Sequence, residues 1–120
     1  MANTFIKLPL SASVDGKSIL LTTTASSVAI PIHTTPTGIT STDEVWLYAY
    51  NDSLVSLQTS ILWGSTTEPD DVTRTQIGAR SGRVLITDGR LLRNGLTISA
   101  YASNTSSVTI DGFVNRITLS

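Results

Sequence analysis

A chain of 120 residues has room for one domain with a core large enough to fold by itself. The absence of cysteine excludes a disulfide framework and a thiolate metal site, and a formal net charge of −1 with 14% charged residues argues against the basic face that a nucleic-acid partner needs. About three residues in ten are Ser or Thr, which wets the surface without charge, leaves colloidal repulsion weak and suits a chain that works inside an assembly.

In chain order, "MANTFIKLPLSASVDGK" has neither the basic n-region nor the apolar h-region of a signal peptide. No run of about eighteen apolar residues occurs, so neither a membrane span nor a membrane partner is expected. Export, if it occurs, would be through lysis or assembly into a particle. Residues 1–17 are expected to form an N-terminal arm ending in the Asp15-Gly16 turn, and 18–120 the folded domain. Within the arm Phe5 and Lys7 alternate with Ile6, Leu8 and Leu10, a pattern suited to adding a strand to a neighbour's sheet edge.

Beyond the arm the hydrophobic period is two rather than 3.6. Strands are expected over Ser18–Thr24, Ser27–His33 (an edge or interrupted strand, because Pro31 lacks an N–H), Glu44–Tyr50, Val55–Gly64 and Val72–Ile77. Further strands are expected over Arg83–Thr87, Leu96–Ala102 and Val108–Leu119, with Asp88-Gly89 and Asn94-Gly95 as turns and Gly112 as a bulge. No segment has a helical period of useful length. The fold class is therefore all-β: a single-domain antiparallel sandwich or jelly-roll-like barrel of about seven or eight short strands.

"DEVWLYAYND", Asp43 to Asp52, stands out because both of its faces are apolar or aromatic. Val45, Leu47 and Ala49 lie on one side of the strand, and Trp46, Tyr48 and Tyr50 on the other. One set belongs to the core. The other is expected to be covered partly by the chain's own loops and partly by a sister subunit.

Few residues invite chemistry. His33 is the one histidine, with Asp43 and Glu44 about ten residues on, a base with a carboxylate orienter if a nucleophile were at hand. No serine lies in a nucleophile-elbow motif, so a structural strand-end histidine is the expectation. "EPDD", Glu68 to Asp71, lacks the alternating ligands and central glycine of an EF-hand loop and is expected to be a solvated turn. Asp43 or Glu44 with Asp111 would be the carboxylates of a glycosidase, though no pattern selects them. No catalytic residue, cofactor or metal ligand is therefore assigned. Five arginines, Arg74, Arg80, Arg83, Arg90 and Arg93, crowd into twenty residues of a chain whose first seventy hold none. They are expected to decorate strand ends or to meet an acidic partner chain.

Four segments, "PIHTTPTGITSTDEVWLYAYN", "ILWG", "GRLLRNGLTISAYAS" and "VTIDGFVNRI", together resemble the small Ser/Thr-rich virion structural proteins of tailed bacteriophages, over Pro31 to Ile117. The resemblance implies a non-enzymatic capsid decoration, or cement, protein. Such a protein is made in the host cytoplasm and carried on the capsid exterior. The implied partners are the major capsid protein and further copies of the chain itself, commonly as a trimer, with no nucleic acid. The candidate subunit or capsid contacts are Phe5, Ile6, Leu8, Trp46, Tyr48, Tyr50, Arg80, Arg83, Arg90 and Arg93. A tail- or fibre-borne receptor or glycan-binding module is the alternative, with Trp46, Tyr48 and Tyr50 as sugar platforms beside Asp43 and Asn51.

Overall fold

A computed structural model describes residues 3–119; Met1 and Ala2 of the expected arm, and Ser120 of the expected domain, lie outside the described residues. Among the described residues there are nine strands: β1 Thr4–Pro9, β2 Ile19–Leu20, β3 Ile30–Thr34, β4 Ser41–Asn51, β5 Leu57–Trp63, β6 Val72–Ile77, β7 Val84–Leu92, β8 Thr97–Ala102 and β9 Val108–Thr118. A 3-10 turn at Ser26–Val28 is the one helical element among the described residues. The first sheet has the order β1-β9-β4-β7, with β2 also paired to β9, and the second has the order β3-β8-β5-β6. All pairings are antiparallel. β5 pairs with β6, β4 with β7, β3 with β8 and β2 with β9. The chain is thus a nested series of antiparallel pairs folded over on itself, which is the jelly-roll order of a two-sheet sandwich.

Period-two patterning explains the core. Along β4 Asp43, Val45, Leu47, Ala49 and Asn51 are buried, and the residues between them are partly exposed. The Val45 side meets Ile61, Ile98 and Ala100 of the second sheet in one cluster, with Val108, Ile110 and Val114 beside it on β9. This settles which side of the Asp43–Asp52 stretch is core. Trp46, Tyr48 and Tyr50 lie on the outer face of the first sheet.

The N-terminal segment differs from a free arm. β1 pairs with this chain's own β9, from Thr4↔Thr118 to Pro9↔Phe113, and Leu8 packs against the core. Residues 11 and 12 then cross to the other sheet: Ala12 N–H donates to the Ile32 carbonyl at 3.2 Å, and Thr34 N–H to Ser11 Oγ at 2.8 Å. Leu10 and Leu21, both buried, close the seam between the sheets on that side. Asp15 and Gly16 do form a tight turn, with φ of 53° and 85° and Lys17 N–H donating to the Val14 carbonyl at 2.9 Å. The flanking β1 and β2 pair with β9 rather than with each other.

Two further expectations change. Asp88-Gly89 is no turn: β7 runs through it, and the register against β4 shifts between Val45 and Trp46. Gly89, at φ +86°, is absorbed there as a bulge, which only a residue tolerant of positive φ permits. Gly112 is no bulge, because β4 and β9 stay in register from Ser41↔Thr118 to Asn51↔Val108. Pro31 does lie on an edge strand, and a register shift follows it before His33.

Asn51 ends β4 as a polar staple. Fully buried, it donates to the carbonyls of Val55 (2.7 Å) and Ile77 (3.0 Å) and accepts from the Ser53 N–H (2.9 Å) and hydroxyl (2.7 Å). Asn51→Ala leaves the buried Ile77 carbonyl without its donor and releases the Ser53–Val55 turn, and is expected to cost about 2–3 kcal/mol in urea unfolding. A loss under about 0.5 kcal/mol would show that water replaces the amide without penalty.

Candidate functional site

Among the described residues, three constellations carry most of the polar and aromatic chemistry. The first is interior. His33 on β3 and Asp43 on β4 are 1% and 0% exposed, and Nε2 of the imidazole lies 2.6 Å from Asp43 Oδ2. Arg116 on β9 grips the same carboxylate with Nε at 2.8 Å and Nη2 at 3.1 Å. Ser11 N–H donates to His33 Nδ1 at 3.0 Å. A ring nitrogen that accepts a hydrogen bond carries no proton, so the His33 proton sits on Nε2 and is donated in a hydrogen bond to Asp43. Burial pushes the Asp43 carboxyl up, but the hydrogen bonds from Arg116 and His33 outweigh it and hold it below its ordinary value of 3.8. The His–Asp pairing is therefore present, but both ring nitrogens are engaged and the ring is out of solvent. What it does is tie β3, β4, β9 and the Ser11 crossing together.

The second constellation covers the outer face of the second sheet. Arg74 on β6 donates to the Ser60 hydroxyl at 2.9 Å, to the Tyr101 hydroxyl at 2.8 Å and to Glu68. Tyr101 donates to the same carboxylate at 2.9 Å. Arg74 and Tyr101 hold the Glu68 carboxyl below its ordinary value. Asp71 accepts from the Ser65 hydroxyl. The expected solvated turn at Glu68–Asp71 is thus strapped to the sheet, and two of its carboxylates are committed within the chain.

The third is the outer face of the first sheet, where side chains form rows across the strands. Lys7 Nζ of β1 sits 4.2 Å from the centre of the Phe113 ring of β9. Phe113 stacks with Trp46 of β4 at 6.1 Å and 11°. Trp46 lies against Gly89 of β7, where an added Cβ would come within 3.0 Å of the indole. Trp46 Nε1–H donates to Glu44 at 2.8 Å and the Asn115 amide donates to the same oxygen at 3.0 Å, which lowers the Glu44 carboxyl. In a neighbouring row the Arg83 guanidinium lies 3.8 Å over the Tyr48 ring and donates to Asp111 at 2.7 and 2.9 Å. Cation–π contacts and aromatic stacking thus give this face its order. Tyr50 donates to Asp52 at 3.0 Å.

The structure brings Trp46, Tyr48, Tyr50, Phe5 and Arg83 to this face or its margin and separates the other arginines. Arg90 covers the Trp63 ring at 4.5 Å, in the gap between the β6 and β7 edges. Arg80 reaches toward Asp52, and Arg93 makes a long 3.4 Å contact with the Ile39 carbonyl. Ile6 is exposed on the edge strand β1, and Leu8 faces inward. Asp43 and Asn51 are buried, which removes both from any sugar contact at the surface. Phe113, Asn115 and Lys7 complete the rows, and the signal for them was the alternation of β9, which places Asp111, Phe113, Asn115 and Ile117 on one side.

A cleft of about 490 Å³ opens at one end of this face, lined by Thr42, Leu91, Leu92, Arg93, Asn94 and Leu96.

No protein-family model and no curated protein sequence matches the chain. Among solved structures it is similar to a chain described by the words "Bacillus endospore appendages form a novel family of disulfide-linked pili", with a TM-score of 0.52 and 12% identity over 100% of this chain and 93% of that one. At that identity the likeness is one of fold. With no cysteine, this chain has no residue for a disulfide link.

Proposed function

We propose that the chain is a non-enzymatic structural subunit of a phage virion, a capsid decoration protein that works as a homo-oligomer, with the outer face of the first sheet as the contact between copies. The observation that carries this is the contrast between the two outer faces. That of the second sheet is strapped by the chain's own Glu68–Asp71 turn, while that of the first presents Trp46, Tyr48 and Tyr50 in partly exposed rows. Partly exposed aromatics beside guanidinium and ammonium groups are the residues that anchor protein interfaces. The jelly-roll order supports the reading by analogy, since viral shell proteins use it often. So does the engagement of both nitrogens of His33, which leaves that ring no free base.

The test is the double variant Tyr48→Ser/Tyr50→Ser. Both side chains leave the core intact, so the melting temperature should fall by only a few degrees, while oligomeric mass in solution and occupancy on stripped capsids should drop about tenfold or more. Unchanged oligomer and occupancy would overturn the assignment, as would outright unfolding.

A further inference from the structure

Both halves of a self-complementary contact lie at one end of the outer face of the first sheet. Phe5 on β1 points to that face, on the same side of the strand as Lys7, and is 70% exposed. Its register partner is Ile117, whose own partner on the next strand is Thr42, a residue of the 490 Å³ cleft. Knob and hole thus sit on opposite edges of one sheet, three strand spacings or about 14 Å apart. Ile39, Leu91, Leu96 and Leu119 are also exposed around this end, and clustered apolar side chains of this kind mark interaction sites.

We infer that two copies pack the outer faces of their first sheets together about a two-fold axis parallel to the strands and midway between β9 and β4, so that Phe5 of each copy fills the cleft of the other beside Arg93. The inference rests on the reading of this face as the contact between copies. A two-fold axis at that place exchanges β1 with β7 and β9 with β4, bringing each knob over the opposite hole, as an isologous interface requires. The cleft holds one aromatic ring with room for its own walls to adjust. Arg93, held by a long 3.4 Å contact to the Ile39 carbonyl, offers its guanidinium to the incoming ring.

Charge agrees with this pairing. The face carries Lys7 and Arg83 against Glu44 and Asp111, so no like-charge field opposes contact between copies. Area agrees as well. The four strands, of 6, 11, 11 and 9 residues, span about 600 Å² of sheet, most of the roughly 800 Å² per partner of a stable interface, and Phe5 seated in the cleft adds to it.

The experiment uses the whole chain and its lack of cysteine. Thr42→Cys and Ile117→Cys are made as separate variants and mixed under mild oxidation. The two-fold places Thr42 of one copy opposite Ile117 of the other, so a covalent dimer should form in the mixture well above the level of either variant alone. Sedimentation should show a dimer whose affinity falls about tenfold or more in Phe5→Ser and in Leu91→Lys. Mixing those two variants should restore association, because one intact Phe5–cleft contact survives in the heterodimer. A monomer at all concentrations, a trimer, or failure of the mixture to recover would overturn the two-fold contact. A trimer that still depends on Tyr48 and Tyr50 would overturn it while sparing the broader proposal, whereas loss of all dependence on this face would remove both.

Discussion

Asp43→Ala is expected to lower stability by about 3–5 kcal/mol, the usual cost of removing one partner from a buried ion pair. For a chain of 120 residues this is a drop of about 10–25 °C in melting temperature. The cost is high because two donors lose their acceptor together. The Arg116 guanidinium, with a side chain 27% exposed, can turn partly to water. The His33 Nε2–H, 1% exposed, cannot. Arg116→Met keeps the His33–Asp43 hydrogen bond and an apolar stem but leaves the Asp43 charge buried without its cation, so it should cost a comparable amount. A loss under about 1 kcal/mol in Arg116→Met would mean that the Asp43 carboxyl takes up a proton once the guanidinium is gone.

The same group sets a pH dependence. Because the folded Asp43 carboxyl is held below its ordinary 3.8, its contribution is fully present above that pH. As pH falls below 3.8 the unfolded chain takes up the proton first, and the contribution is gone once the folded carboxyl protonates as well. Stability should thus decline on the acid side, and Asp43→Asn should flatten that limb. Some slope should remain, since Glu44 and Glu68 are also held below their ordinary value by the Trp46 and Asn115 donors and by Arg74 and Tyr101. An unchanged acid limb in Asp43→Asn would place the titration elsewhere.

How far these features were legible from the residues depends on their range. Strand alternation is local, so β3 to β9 and the two-faced character of β4 follow from the order of apolar residues. The pairing of β4 with β9 joins residues more than fifty positions apart, and no local pattern encodes it. For that reason Arg116 and Phe113 escaped notice, although one completes the buried cluster and the other the aromatic row. His33 and Asp43 are ten residues apart and suggested a base and its orienter. A structural strand-end histidine was nonetheless the expectation, and the structure supplies its partners, Asp43 on Nε2 and the Ser11 N–H on Nδ1. Asp88-Gly89 carries the same dipeptide signal as the Asp15-Gly16 turn, and only the neighbouring β4 decides that it becomes a bulge under Trp46.

Gly112→Ala is expected to be the most damaging single methyl in the protein, on the order of 4 kcal/mol or more. A Cβ at Gly112 would stand 2.0 Å from the Trp46 carbonyl oxygen, 3.0 Å from the Trp46 carbonyl carbon and 3.1 Å from Leu47 Cα. All three are backbone atoms of the strand whose Val45, Leu47 and Ala49 are fully buried, so no side-chain rotation relieves the overlap. Either β4 and β9 part at the middle of their ladder or residue 112 leaves its φ of +154°. Gly38→Ala separates this steric effect from the loss of glycine as such. Gly38 has φ +86° with nothing within 4 Å of an added Cβ, so its variant should lose only about 1–2 kcal/mol of backbone strain. Urea unfolding of the two variants measures the difference directly, and losses within about 1 kcal/mol of each other would show that the ladder yields at Gly112. Partial yielding has a readable consequence at the surface. Trp46 belongs to the same displaced strand segment, so a folded Gly112→Ala should disturb the Trp46–Phe113 stack and shift the tryptophan fluorescence. It should also weaken self-association even though it touches no interface side chain.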